Sequence, residues 1–300
     1  MFSGSLVAIV TPMHADGGID WAAWDRLLAR HLEAGSSGVV VGGTTGESAT
    51  LSDAELMALV ERARARLNGR AALLAGAGTS STATTIERAR LLSAAGIDGL
   101  LVVTPAYNKP TQEGLYRHFE AVAAAATVPV VLYNVPSRTA VDMLPATVAR
   151  LAKLSGVVAV KEAVASIERV RELVGLTGAQ FAVLSGDDAS AGQAMLNGAR
   201  GVISVTANVM PRAMAELSAA AMRGDQAAVE RLDAPLRALH EALFLEPNPI
   251  PLKWAMSDQG LIERGIRLPL TELSEPLRPR VRAALDMAQG RLPLAQAKSA

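Results

Sequence analysis

The sequence predicts an α/β chain folded as a (β/α)8 barrel of the TIM class, with a helical extension at its C-terminus. Three observations predict it. Eight short apolar runs recur between residues 6 and 205. Each is followed by a stretch of helical periodicity. The runs start 21 to 33 residues apart, which leaves room for one strand, two short loops and one helix.

The runs cover residues 6–10, 38–41, 71–75, 99–103, 129–133, 157–160, 180–184 and 201–205. Their unbroken hydrophobicity suits strands covered on both faces, as in parallel sheets. Helices are expected at 20–34, 52–67, 85–95, 111–125, 144–154, 166–176, 189–197 and 211–222. Ser52 followed by Glu55 is a capping-box pattern. Gly35, Gly96 and Gly198 stand where helices should stop. Strand and helix repeated eight times imply parallel strands with right-handed crossovers, and eight units close into a barrel. A doubly wound open sheet is the alternative on pattern alone. Residues 1–223 form the expected barrel. Residues 224–300 are expected as a helical appendage packed on it, with helices at 227–244, 249–258 and 275–287 and a fraying tail over 292–300.

Composition excludes several functions. The 300 residues hold 29 basic and 29 acidic side chains, so no net charge attracts a nucleic acid. There is no cysteine, which removes disulfides, thiol catalysis and cysteine-held metals. No run approaches the ~18 apolar residues of a membrane span. The first apolar segment has no basic stretch before it and is short for a signal core. A soluble cytoplasmic protein is expected.

Active sites of such barrels lie at the C-terminal ends of the strands. The second run leads into Gly42-Gly43-Thr44-Thr45-Gly46-Glu47, and the fourth into Tyr107-Asn108-Lys109. The fifth ends at Tyr133-Asn134 and continues to Arg138. The sixth ends in Lys161-Glu162, and the seventh in Ser185-Gly186-Asp187-Asp188. Lys161 follows its apolar run with no turn between. It reads either as an ion pair with Glu162 or another carboxylate, or as an amine that condenses with a carbonyl. The second role needs the unprotonated form, and a free lysine has a pKa of ~10.4.

Tyr133 stands one strand away, about 4.8 Å in a sheet, within reach for proton transfer. Its other reading is a core tyrosine. Glycines around Thr44 and Thr45 let backbone N–H groups approach a carboxylate. The segment lacks the Gly-Lys-Ser/Thr ending of a nucleotide loop. Glu47 is expected to brace that loop. Gly76-Ala77-Gly78 opens no dinucleotide unit. Arg138 suits bidentate carboxylate binding or a surface ion pair. No pair among His14, His31, His118 and His240 has metal-ligand spacing, and His31 and His118 are expected on the surface. Asp187 and Asp188 are expected as helix caps, ahead of a divalent-cation site.

Gly43-Thr44-Thr45-Gly46-Glu47-Ser48, Tyr133-Asn134-Val135-Pro136-Ser137-Arg138-Thr139 and Lys161-Glu162 together resemble the dihydrodipicolinate synthase family, within the N-acetylneuraminate lyase superfamily. The likeness runs through Glu246-Pro247-Asn248-Pro249-Ile250-Pro251 and Lys253-Trp254. It implies that Lys161 forms an imine with pyruvate, and that Tyr133, Thr45 and Tyr107 relay protons. The residue at Tyr107 would reach in from a neighbouring subunit of a homotetramer, a dimer of dimers. It implies that Thr44 and Thr45 hold the pyruvate carboxylate and Arg138 that of aspartate semialdehyde. Gly186 and Ile203 would be backbone and wall contacts. No metal or organic cofactor is implied. Another pyruvate-dependent aldolase acting on sugar acids, or a non-catalytic keto-acid-binding barrel, are the alternatives. Where lysine-inhibited relatives carry polar side chains, this chain has Asp53, Leu56, Ser80, Thr84 and Ala106, so weak or absent inhibition by lysine is expected.

Overall fold

The computed structural model describes residues 2–292. Eight parallel strands close into a barrel in chain order. They are β1 (Gly4–Ala8), β2 (Gly38–Val41), β3 (Ala72–Gly76), β4 (Gly99–Val103), β5 (Val130–Asn134), β6 (Val157–Glu162), β7 (Ala182–Ser185) and β8 (Gly201–Ser204). β8 returns to β1, so no strand edge is left open. The open-sheet alternative is thereby set aside.

The continuous apolar runs have the expected cause. Alternate residues fill two different cores. Leu6, Ala8, Val40, Leu74, Val131 and Leu184 point into the barrel. Val7, Val39, Val41, Leu73, Leu132 and Val183 face the helices. β6 is longer than its apolar run because Lys161 and Glu162 stay in the ladder, opposite Tyr133 and Asn134 of β5. β1 begins two residues early because Gly4 and Ser5 pair with Gly201 and Val202.

Local signals set the helix ends. Ser52 and Glu55 form the reciprocal capping box at the start of Asp53–Leu67, an arrangement worth ~1 kcal/mol. Gly35 closes Trp21–Ala34 in the left-handed region, where a Cβ would be strained. The expected helix 227–244 is two helices, Gln226–Asp233 and Arg237–Ala242. Pro235 lies between them, with no N–H to donate and a ring that disfavours helix at the residue before it. The last expected helix opens as a 3-10 turn, Glu275–Leu277, and continues as Arg278–Ala288. Leu236, Leu239, Leu252, Val281 and Leu285 belong to the same apolar cluster as the barrel's outer face. The expected fraying tail lies, from residue 293 on, outside the described residues.

Two histidines depart from expectation. His31 and His118 are buried, not on the surface. His31 follows Trp24, Leu27 and Leu28 on the inner stripe of its helix. His118 sits with Leu115, Phe119 and Val122. The 3.6-residue period therefore placed both inside, and the ring is small enough to pack there once one nitrogen is bonded. His31 Nδ1 lies 3.0 Å from Ser36 Oγ, and His118 Nδ1 2.9 Å from Thr82 Oγ1. Burial, with Arg30 adding to it, lowers the pKa of His31 to about 3. Burial lowers that of His118 to about 4.

Candidate active site

β5 and β6 set the centre of the site. Tyr133 and Lys161 are directly opposite in the ladder. Both side chains point into the barrel mouth, and the Lys161 amine lies 4.4 Å from the centroid of the Tyr133 ring. Lys161 is 5% exposed. Among the described residues its amine has no carboxylate partner. The ion pair with Glu162 considered from sequence does not form, because successive strand residues face opposite ways. Glu162 points outward. Its carboxylate accepts from Asn134 Nδ2 at 3.0 and 3.1 Å, from Val164 N at 2.9 Å and from Arg169 Nε at 3.3 Å. Burial pushes the Glu162 pKa up, against the opposing pull of the Val164 N–H, Arg169 and Asn134.

The amine faces a cleft of about 550 Å³ lined by Thr44, Thr45, Tyr133, Arg138, Lys161 and Gly186. Six residues singled out from sequence thus meet in one cavity. Gly186 is required by space. A Cβ there would come within 3.0 Å of Lys161 Cε and 2.9 Å of Ala163 Cβ, closer than carbon atoms pack. Arg138 sits on the short helix Pro136–Thr139 that follows β5.

The Thr44–Gly46 turn is held from behind. Glu47 ends it in the left-handed region. Its carboxylate is paired with the buried Lys253 amine and accepts from Arg267 N at 3.1 Å. Glu47 thus braces the loop, as expected. Gly42 must be glycine for two reasons. Its φ is +63°, and a Cβ would strike Leu56.

Two expected site residues do not line the cleft. Tyr107 is 93% exposed, with φ at +74°. Ile203 is fully buried in the barrel interior, and Val205, two residues further on, faces the cleft instead. Asp187 accepts from Ser190 N and Oγ just ahead of Ala191–Leu196, but the N-cap of that helix is Ser190 and no side chain caps it. Asp188 does not cap that helix. It is buried and accepts from Val205 N and Thr206 N, tying β7 to the turn after β8.

Sequence reasoning missed Asn248. Its Nδ2 donates to Thr45 Oγ1 at 3.0 Å, and its carbonyl accepts from Arg138 Nη2 at 3.0 Å. With Phe244 and Pro247 it brings the C-terminal appendage over the cleft. The Pro-rich stretch around it marked a turn and carried no sign of where that turn would land. Away from the cleft, ligand atoms of His14, Asp20 and Glu263 lie within 4.8 Å of one another. Sequence spacing had not shown this. Asp20 is already the cap of Trp21–Ala34, and His14 pairs with Glu263 at 3.1 Å.

Fold and site define a class: a (β/α)8-barrel lyase with a lysine at the lip of its sixth strand and a tyrosine opposite on the fifth. The model of the dihydrodipicolinate synthetase family matches residues 1–288, and the chain belongs to that family. A protein of Stutzerimonas stutzeri named 4-hydroxy-tetrahydrodipicolinate synthase is 51% identical over 286 residues, covering 94% of this chain and 98% of the relative. The crystal structure of the chloride-inhibited dihydrodipicolinate synthase of Acinetobacter baumannii, complexed with pyruvate, has a TM-score of 0.95 at 45% identity. It covers 96% of this chain and 99% of that one. A structure described as a monomeric dihydrodipicolinate synthase variant has a TM-score of 0.94 at 41% identity and covers 97% and 98%.

Proposed function

We propose that this enzyme condenses pyruvate with L-aspartate 4-semialdehyde to give 4-hydroxy-tetrahydrodipicolinate, the reaction named for its curated relatives, and so serves lysine and diaminopimelate synthesis. The observation that carries the mechanism is the Lys161 amine, withdrawn from solvent yet without a carboxylate partner, facing a cleft with Tyr133, Thr44, Thr45 and Arg138.

The Lys161 nitrogen adds to the pyruvate ketone, and the carbinolamine loses water to an imine. The protonated imine nitrogen is the electron sink, so no metal or organic cofactor enters the scheme. The methyl group gives up a proton and becomes the nucleophilic carbon of an enamine. That carbon attacks the aldehyde, whose oxygen takes a proton and becomes the ring hydroxyl. The semialdehyde's amine then adds to the imine carbon, closing the ring and expelling the Lys161 amine. Tyr133 and Thr45 move the protons. Tyr107 of a neighbouring subunit completes the relay, a role that its exposure suits. The backbone N–H groups at Thr44 and Thr45 hold the pyruvate carboxylate. Arg138 takes the second carboxylate, and Gly186 shapes the pocket, with Ile203 packed in the barrel interior below Val205. A homotetramer, a dimer of dimers, and a cytoplasmic location complete the proposal. Both rest on the family resemblance. No helix among the described residues is long and apolar enough to cross a membrane.

Borohydride reduction in the presence of pyruvate, followed by peptide mapping, tests the imine. The expected adduct is on Lys161. An unmodified protein, or an adduct elsewhere, defeats the reading. Turnover of pyruvate plus aspartate semialdehyde, set against cleavage of N-acetylneuraminate or keto-deoxy-gluconate, tests the acceptor.

A further inference from the structure

We propose that Glu162 is a positioning residue for this reaction. Clamped by Asn134 and Arg169 on the outer face of the sheet, it holds the register that keeps Lys161 opposite Tyr133. The proposal rests on the reading of Lys161 as the imine-forming amine.

The register of β5 on β6 needs such a device. Near the start of the pair, Val130 is opposite Val157 but Val131 is opposite Ala159. β6 therefore carries one more residue than β5 at that point. A bulge of this kind means that the register near the strand starts does not dictate the register at the mouth. Beyond it the outer faces offer Leu132 and Val160, and the inner faces Val131 and Ala159. Apolar pairs of this kind resist slippage weakly. The backbone ladder, which also pairs Lys161 with Leu184 and Glu162 with Ser185 of β7, carries no side-chain information about which residue of β6 faces inward. A slip by one residue would turn Lys161 out of the barrel and bring its neighbour in.

Asn134 and Glu162 are the pair directly beyond Tyr133 and Lys161. Among the described residues they are the one pair joined by side-chain hydrogen bonds between these two strands. The clamp extends outward. Asn134 Oδ1 accepts from Met143 N at 2.9 Å, and Asn134 Nδ2 also donates to Asp142 Oδ1 at 2.8 Å. Arg169, on the helix Ile167–Thr177, binds both oxygens of Asp142, at 2.6 and 3.1 Å, and the Met143 carbonyl at 2.8 Å. Glu162 is thus joined to the loop after β5 and the helix after β6, and its side chain is wholly buried. A buried ion pair is poor value as stability compared with apolar packing of the same volume. What it supplies that Leu132 and Val160 do not is a preference for one register, as polar groups do at coiled-coil seams.

The test uses Glu162→Ala, Asn134→Ala and Glu162→Gln in the intact enzyme. Each is assayed well below its own melting temperature. Three quantities are measured: the rate of borohydride-trapped adduct on Lys161 with pyruvate, kcat, and KM for pyruvate. A misplacement of about 1 Å costs up to ~100-fold in rate, so both alanine variants should trap at least ~10-fold more slowly. The loss should fall on kcat, with KM for pyruvate nearly unchanged. Glu162→Gln keeps an oxygen for Asn134 and should recover most of the trapping rate. If the alanine variants melt lower yet trap at the wild-type rate, the clamp is structural and the proposal falls. Should Glu162→Ala not fold, Asn134→Ala decides, because it leaves Arg169 to neutralise Glu162. A wild-type enzyme unlabelled at Lys161 overturns the imine reading together with this one. Labelled wild type with unimpaired variants overturns this one alone.

Discussion

Two lysines are almost withdrawn from solvent, and the regions that hold them treat the charge in opposite ways. Where the Thr44–Gly46 turn meets the helix Ile250–Asp258, Lys253 is 4% exposed and its amine is bonded to Glu47. Burial pushes its pKa down, and Glu47 pulls it back up. At the end of β6, Lys161 is just as buried, but its side chain lies against the Tyr133 ring and faces an open cleft. Burial therefore does not distinguish the two. The partner does. The paired lysine bolts the appendage to the barrel, whereas Lys161, with no carboxylate partner among the described residues, is left facing the cleft. The same contrast divides their carboxylate neighbours, since Glu47 meets a lysine and Glu162 is claimed by Asn134 and Arg169.

Replacement tests that contrast most severely at Lys161. Lys161→Ala should reduce turnover by at least ~1,000-fold, because the covalent route has no second amine in place. It should also abolish the borohydride adduct. The melting temperature should hold or rise, since no ion pair is broken. A large fall in melting temperature would mean that Lys161 is structural after all.

Lys253→Met should show the reverse. It strands Glu47 in the interior, which costs about 3–5 kcal/mol, read as a lower urea midpoint. Folded protein should still form the Lys161 adduct. Glu47→Gln in the same chain should restore part of the loss by removing the stranded charge.

Arg138→Ala is expected to separate the two substrates. Charge-assisted hydrogen bonds contribute about 1.5–3 kcal/mol, so kcat/KM for the semialdehyde should fall ~10- to 100-fold. Trapping by pyruvate alone should be little affected. Equal damage to both would show that Arg138 works by holding Asn248 rather than by binding a carboxylate.

The histidines sharpen what burial costs when the partner is a neutral hydroxyl. Folded His31 and His118 have pKa values below the ordinary 6.5, at about 3 and about 4. The unfolded chain therefore binds protons that the native state refuses. Stability is full above pH 6.5. It falls as pH drops towards 4, by up to ~1.4 kcal/mol per pH unit for each ring. Urea unfolding across this range checks the slope, which His118→Gln should reduce. The smallest expected effect is that of free lysine on initial rate. Leu56 is buried in the core and Asp53 is paired with Arg88 at 2.7 Å, so neither offers a free group to an amino acid. Potent inhibition at sub-millimolar lysine would contradict this.

The barrel was legible because a strand buried on both faces has to be apolar throughout, as 38–41 and 99–103 are, and because its helices carry their own caps. Ser52, Glu55 and Gly35 act within one or two turns, so their effect is present in the local sequence. Lys161, Tyr133, Thr44, Thr45 and Arg138, at strand ends or in the loops that follow, were legible for a related reason, whereas the contact role of Gly186 came from the family resemblance. A polar residue directly after an apolar strand stands at the mouth by construction. Pro235 and the helical period through His31 and His118 are equally local signals.

Other features depend on contacts between distant parts of the chain. Asn248 reaches Thr45 across 203 positions, and Lys253 reaches Glu47 across 206. The exit of Ile203 from the cleft in favour of Val205 turns on where β8 ends. Local patterning decides which faces of an element are apolar and where the element stops, because those choices concern a few neighbouring residues and water. Which loop closes over the mouth, which carboxylate finds which cation, and which buried lysine is left unpaired are settled when the elements pack. Each of those outcomes needs a partner that the local sequence does not contain.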